Sequence, residues 1–224
     1  MFRSKSFDMH RPIGFGSLSR ACSMPNIKIT MHDARMSLVV KEVDKNKAQK
    51  NVSTILYENM LNKDWLYEET SEPPDSFQQK WNDRYDESRR ALVNILEEIS
   101  RDIRPRQKLE KDILYFIAYF RGVPVGALLL YADGGSKGAS SIEHMATHSG
   151  IRGCGVLLIE AAINKLLQLG MSGKVRTIAS TNENARAYIN MGFRHIDQYE
   201  LILRPAKRND KWNFIDGHYK YIGC

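Results

Sequence analysis

At 224 residues, with 42% apolar and 26% charged content, the chain can bury one sizeable core, and the lack of a long apolar run excludes a membrane-spanning helix. Three widely spaced cysteines, Cys22, Cys154 and Cys224, form neither a disulfide framework nor a zinc pattern, which points to a reducing compartment. The net charge of +7 favours acidic partners, but residues 1–35 hold six basic residues against two acidic ones, so +4 of the charge belongs to that segment and not to a nucleic-acid-reading face.

Residues 1–35 are rich in Ser, Arg and Gly, contain Pro12 and Pro25, and show no sustained apolar period. They read as a flexible, disordered tail. No apolar h-region marks a classical secretory signal; the alternatives to a plain extension are a transit peptide or an export tag. A single domain is expected over 36–224, and a cytoplasmic location, unless the tail directs export or organelle targeting.

The run Ser37–Val43 suits a first strand, and Asp44 can cap a helix to about Asn62 with Val52, Ile55, Leu56 and Met60 on one face. A polar connector, 63–74, ends in Pro73-Pro74, which a helix interior does not tolerate. Asp75 opens a longer helix to about Ile103, striped by Phe77, Trp81, Tyr85, Leu92, Ile95, Leu96 and Ile99. Ile113–Phe120 and Val125–Tyr131, joined across Arg121-Gly122-Val123-Pro124, predict a hairpin, and a further strand carries Glu143.

That strand runs into Gly150-Ile151-Arg152-Gly153-Cys154-Gly155-Val156 and then a helix, with Leu157, Leu158, Ala161, Ala162, Leu166 and Leu169 at helical spacing and Gly170 as its stop. A helix opening from a glycine turn leaves free N–H groups and a positive dipole end, which suit a phosphate or pyrophosphate. Lys174–Thr181 reads as another strand, leading into a helix from Asn182 with Tyr188 on it and Gly192-Phe193 after it. His195–Leu203 predicts one strand, and Trp212, Phe214, Tyr219, Tyr221 and Ile222 one last edge strand.

Strand, glycine turn, helix, strand, then Asn182-x-x-Ala185-x-x-Tyr188-x-x-x-Gly192-Phe193 resembles the GNAT superfamily of acyl-CoA N-acyltransferases. The resemblance covers residues 36–205 in element order, with its specific motifs in 141–193. It implies an α/β fold: one mixed, mostly antiparallel, twisted sheet with helices on both faces. The implied activity is transfer of an acetyl or other short acyl group from acetyl-CoA to a primary amine, of a protein or a small molecule. Attack is direct in a ternary complex, with no metal.

The resemblance assigns the pyrophosphate of CoA to the amides of Gly150, Ile151, Arg152, Gly153, Cys154, Gly155 and Val156, with the Arg152 charge beside them. The chain departs from the family pattern R/Q-x-x-G-x-G/A in one of two ways, depending on register. One, favoured, puts Gly150 at the Arg/Gln place and Gly153 and Gly155 at the glycine places; the other starts at Arg152 and puts Leu157 at the last small place. The pantetheine arm is assigned to unpaired amides of the fourth strand where it splays from the fifth, at Met145 with Ala146 and Thr147, or with Glu143 and His144. Asn182 matches a cofactor-contacting Asn, one residue closer to the tyrosine than is usual. Tyr188 matches the general acid for the departing thiolate.

For the base the candidates are Glu143, His144 and His148, with Glu143 favoured; alternation puts Glu143 and Met145 on one side and His144 on the other. Cys154 has no His at a partner spacing and reads as a small turn residue. The acid-rich region Glu68, Glu69, Glu72, Asp75, Asp83, Asp86 and Glu87 suggests a cationic acceptor such as a lysine or polyamine. Two other readings stay open: a degenerate acyl-CoA-binding protein, and a basic module binding nucleic acid or membrane through the tail.

Overall fold

The structure is a computed structural model and describes residues 35–60, 76–101, 111–133, 138–151 and 153–223. Apart from Arg35, the basic tail lies outside the described residues, as do Glu68, Glu69, Glu72, Asp75 and Arg152.

Strand β1 (Leu38–Val43) gives way to helix α1 (Lys45–Ser53) at Asp44, whose carboxylate accepts from the Lys47 amide at 2.9 Å as an N-cap. The single helix expected to Asn62 changes character at Thr54, and Thr54–Met60 is π-helical. Its wider turn buries Ile55, Leu56, Asn59 and Met60 together. The carbonyls at its end are taken by side chains from elsewhere: Tyr85 donates to Met60 O at 2.6 Å, and His148 approaches Asn59 O. Helix α2 (Ser76–Ser100) follows the expected stripe, with Trp81, Tyr85, Leu92, Ile95 and Ile99 all buried.

Strands β2 (Lys111–Phe120) and β3 (Val123–Asp133) form the expected hairpin. Its two-residue turn holds Arg121 and Gly122 at positive φ, the twist that matches paired strands. After β3 come β4 (Ser140–Thr147), helix α3 (Cys154–Gln168), β5 (Val175–Ile178) and helix α4 (Asn182–Asn190). The expected strand 195–203 is instead a tight hairpin of β6 (Arg194–His195) and β7 (Glu200–Leu203). Asp197 breaks it: its carboxylate accepts from the amides of Tyr199 and Glu200, an Asx-type turn that competes with extended backbone.

The sheet order is β1-β2-β3-β4-β5-β7-β6, antiparallel throughout except for the β4–β5 pair. This is the expected mixed α/β sheet with helices on its faces: α1 and α2 pack against the β2–β4 region, and α3 packs along β1 to β4. The core between them is aliphatic, with Leu128, Leu129, Leu130, Leu158, Ile159 and Ile163 sealed from solvent.

The C-terminal residues do not extend the sheet as an edge strand. They form a separate hairpin, β8 (Trp212–Ile215) and β9 (His218–Tyr221), around Asp216-Gly217, both at positive φ. It docks on α3 and on the end of α4. Asn164 of α3 exchanges two hydrogen bonds with the Tyr219 backbone, and Glu160 accepts from the Tyr221 amide and from Arg35. Trp212 donates to Met191 O at 2.8 Å and Tyr221 donates to Asn190 O at 2.9 Å, so two carbonyls at the end of α4 are satisfied by aromatic side chains.

Candidate active site

Strand β4 pairs with β5 only over Ser140↔Val175, Ser141↔Arg176 and Ile142↔Thr177. On its other edge it stays with β3 as far as Thr147↔Gly126. Pairing between the two parallel strands therefore stops after Ile142, one residue before β5 ends at Ile178, and the part of β4 carrying Met145, Ala146 and Thr147 continues along β3 without a partner from β5. By strand geometry alternate amides of that part face away from β3, toward the gap.

A bulge accompanies the parting. Leu130 faces Ile142 and Leu129 faces His144, so Glu143 is the extra residue on β4. Simple alternation would group Glu143 with Met145. Instead, Met145 and Thr147 face Gly155 of α3, whereas Glu143 and His144 lie within electrostatic reach of the Glu98–Tyr131 pair. Tyr131 of β3 donates to Glu98 of α2, and Glu98 is ion-paired with Arg101 at 2.8 Å. Burial, then Glu98, pushes the Tyr131 phenol up. Burial pushes His144 down against the opposing pull of Glu143 and Glu98, so its ring is neutral near pH 7. Glu143 itself is exposed.

At the fork of β4 and β5 stands Tyr188. It is buried on α4, its ring edge-on to Phe193 with centroids 5.0 Å apart. Its phenol contacts the side chain of Thr177, and Thr177 in turn donates to Ile142 O at 3.1 Å, across the last pair before the strands separate. Burial raises the phenol's pKa and Thr177 lowers it, leaving it protonated at neutral pH. Thr177 is a site residue that sequence reasoning missed: a threonine within a β-strand carries no local signal, and its role comes only from where β5 ends.

The glycine turn lies beyond β4. Helix α3 begins at Cys154 with Gly153 as N-cap, at φ 76° and ψ −8°, a left-handed conformation that favours glycine. No side chain caps this end and no acidic residue lies in the first turn. The amides of the Gly153–Val156 turn therefore lack a side-chain cap and have the positive end of the helix dipole behind them, although Cys154 and Val156 are themselves buried. Gly150 and Ile151 differ from the expected pattern. Their amides already donate inside the protein, Gly150 to the His148 ring at 3.1 Å and Ile151 to His148 O at 3.0 Å.

Cys154 is fully buried, and burial pushes its thiol up to about 12, so it packs and does not attack. Gly126 of β3 makes room for it: a Cβ there would come within 2.7 Å of the Cys154 sulfur. His148 is also fully buried, and both ring nitrogens have neighbours, which removes it from the candidate bases. Asn182 is exposed in the first turn of α4 and lines a cleft of about 550 Å³ with Thr181, Arg186, Ile189, Gln198 and Tyr199, between α4 and the β6–β7 turn. Among the described residues no helix is long and apolar enough to cross a membrane, and no cluster of three or more metal-ligating side chains occurs.

A sheet split between two parallel strands, with a glycine-opened helix at the split and a buried phenol in its fork, defines an α/β protein built around a gap in its own sheet. A family model described as the Acetyltransferase (GNAT) family matches residues 57–193, more than half of the chain, and the chain belongs to that family. No curated protein matches it in sequence. Among solved structures it is similar to the PaiA N-acetyltransferase of Thermoplasma acidophilum in complex with coenzyme A, at 14% identity and a TM-score of 0.45 over 75% of this chain and 99% of that one. It is also similar to the NatC complex bound to Gag peptide and CoA, at 16% identity and a TM-score of 0.41 over 75% and 99%. A third likeness, at 14% identity and a TM-score of 0.36 over 75% and 94%, is to YncA, a putative acetyltransferase of Salmonella typhimurium with its cofactor acetyl-CoA.

Proposed function

We propose that the chain moves an acetyl group from acetyl-CoA to a primary amine by direct attack within a ternary complex. The observation that carries this is the parting of β4 from β5 at Ile142/Thr177 with the Tyr188 phenol at the fork. An extended amide-bearing arm can lie in that gap, bonded to the exposed β4 edge at Met145, Ala146 and Thr147. The diphosphate then falls to the uncapped turn at Gly153, Cys154, Gly155 and Val156, with Arg152 as a neighbouring cation. Asn182 completes the set from α4. The internal bonds of Gly150 and Ile151 give those two residues a supporting place in the turn in place of ligand contact.

In the reaction, the neutral acceptor nitrogen attacks the thioester carbonyl carbon and a C–N bond forms. As the C–S bond breaks, Tyr188 gives its phenolic proton to the departing sulfur, the two acids lying close enough in strength for the transfer to accompany bond breaking. The proton lost by the amine passes through water to Glu143, the exposed carboxylate of the bulge, and solvent re-protonates Tyr188. No covalent enzyme intermediate is needed. Acidic side chains on α2, Asp83, Asp86 and Glu87, favour a cationic acceptor.

Thiol release from acetyl-CoA over a panel of lysine peptides, polyamines and aminoglycosides tests the reading, with calorimetric titration of CoA alongside. Turnover with one amine class is the expected result. Binding of CoA with no turnover on any amine would instead favour a degenerate acyl-CoA-binding protein, and no binding at all would overturn both.

A further inference from the structure

His148 stands outside the reaction described above, yet it is the most heavily engaged buried polar residue near the cofactor turn. Its amide donates to Val125 O at 2.7 Å, and its carbonyl accepts from Ile151 at 3.0 Å. Its ring Nδ1 accepts from the Gly150 amide at 3.1 Å, and Nε2 lies 3.4 Å from Asn59 O. A backbone N–H can only donate, so Nδ1 carries no proton. A carbonyl can only accept, so the proton sits on Nε2. One tautomer of the neutral ring satisfies both neighbours; the cation and the other tautomer lose the Gly150 bond.

Asn59, on the far side of the ring, is itself tied: its side-chain amide donates to Pro124 O at 3.1 Å. The ring thus joins the end of the π-helical segment to the turn that leads into α3, while the His148 amide and the Asn59 side chain tie both to the start of β3. Ser149, next in sequence, is buried with its hydroxyl unpartnered among the described residues, so it gives the turn no comparable hold. We propose that His148 is a positioning residue for the cofactor turn: its neutral Nε2–H ring braces Gly150 against Asn59 and so holds the amides of Gly153–Val156 where a diphosphate meets them. The inference rests on the acetyl-CoA reading for its ligand, and on hydrogen-bond geometry alone for the brace.

Nitrogen-15 NMR of the full chain, without ligand, tests the brace directly. The expected spectrum has an unprotonated Nδ1 and a protonated Nε2 in His148 from pH 7 to pH 5, with slow exchange of the Gly150 amide. A charged ring at pH 5.5, the opposite tautomer, or an unprotected Gly150 amide overturns it.

Two variants then separate positioning from mere stability. An asparagine side chain can accept from the amide two residues on, as in an Asx turn, but cannot reach Asn59 in the same pose. His148→Leu keeps volume and loses the acceptor. Expected is a rise of about tenfold in the CoA dissociation constant and in KM for acetyl-CoA for His148→Leu, with kcat within twofold, and recovery of part of that loss in His148→Asn, which restores the Gly150 bond without the Asn59 anchor. Equal affinity in the leucine variant and wild type, or equal loss in both variants, overturns the proposal. Should His148→Leu fail to fold, His148→Asn and the spectrum decide. If the wild-type chain binds no CoA, the functional reading falls while the Gly150 exchange measurement still judges the brace.

Discussion

Helices α3 and α4 leave the sheet from neighbouring parallel strands, and their first turns are built in opposite ways. At α4 the Thr181 side chain accepts from the Asn184 amide as N-cap, Glu183 stands in the first turn, and Glu87 of α2 takes the Thr181 hydroxyl. At α3 a left-handed glycine stands where a capping side chain would be, with no acid in the first turn. One end is finished by a side chain of the protein, and the other has none; the proposed diphosphate site makes use of that second end. In the proposed reaction the closed helix contributes a side chain, Tyr188, and the open one its backbone.

The largest test of that asymmetry is acidification, because only the approach to α3 is braced by a buried imidazole. The unfolded chain protonates His148 near its ordinary 6.5, whereas the folded chain resists until about 4. Stability is therefore full above pH 6.5, falls as pH drops from 6.5 to 4, and loses nothing further from this group below that. The loss is about 3 kcal/mol. Urea unfolding at pH 7 and 4.5 should show this fall in wild type and less of it in His148→Asn.

Next, Tyr188→Phe should cut turnover by about a hundredfold while the CoA dissociation constant stays within twofold, as steady-state rates and calorimetry would show. Unchanged turnover would remove the phenol from the chemistry. Gly155→Asp addresses the open end: a Cβ there meets the flexible end of Met145 at 3.4 Å and the Thr147 methyl at 3.9 Å. A carboxylate in the first turn should suit the helix dipole yet weaken CoA binding by about tenfold, with no loss of melting temperature. Thr181→Ala is the counterpart at the closed end. It should cost about 1 kcal/mol of stability and leave CoA affinity alone, which thermal melts and calorimetry would report.

The asymmetry was only half legible in the sequence. Gly150, Gly153 and Gly155 before the Leu157–Leu169 period announce an open helix end, and the run to Tyr188 and Gly192-Phe193 announces the second helix, because both signals are local. Which amides are taken was not legible: Gly150 and Ile151 look like their neighbours until His148, folded against Asn59 from 89 residues away in sequence, claims both, one with its ring and one with its carbonyl. The splay at Ile142/Thr177 belongs to the same category, since pairing between strands leaves no mark on either strand alone. Glu143 was read as one of an alternating set, and a bulge is invisible to a period-of-two argument. The C-terminal hairpin was legible in principle: Asp216-Gly217 between Phe214-Ile215 and Tyr219 is a strong two-residue turn signal. Reading the aromatics as one strand passed over it. The break at Thr54 into a wider turn had no such marker.

The extra residue on β4 has a practical corollary for protein engineering. Because Glu143 has no partner opposite it on β3, changing its side chain disturbs no rung of the β3–β4 ladder. Acids, amides or small residues exchanged there should leave the chain assembled, so that under the proposed role of Glu143 a change in the pH dependence of the rate would report on proton removal and not on a damaged scaffold.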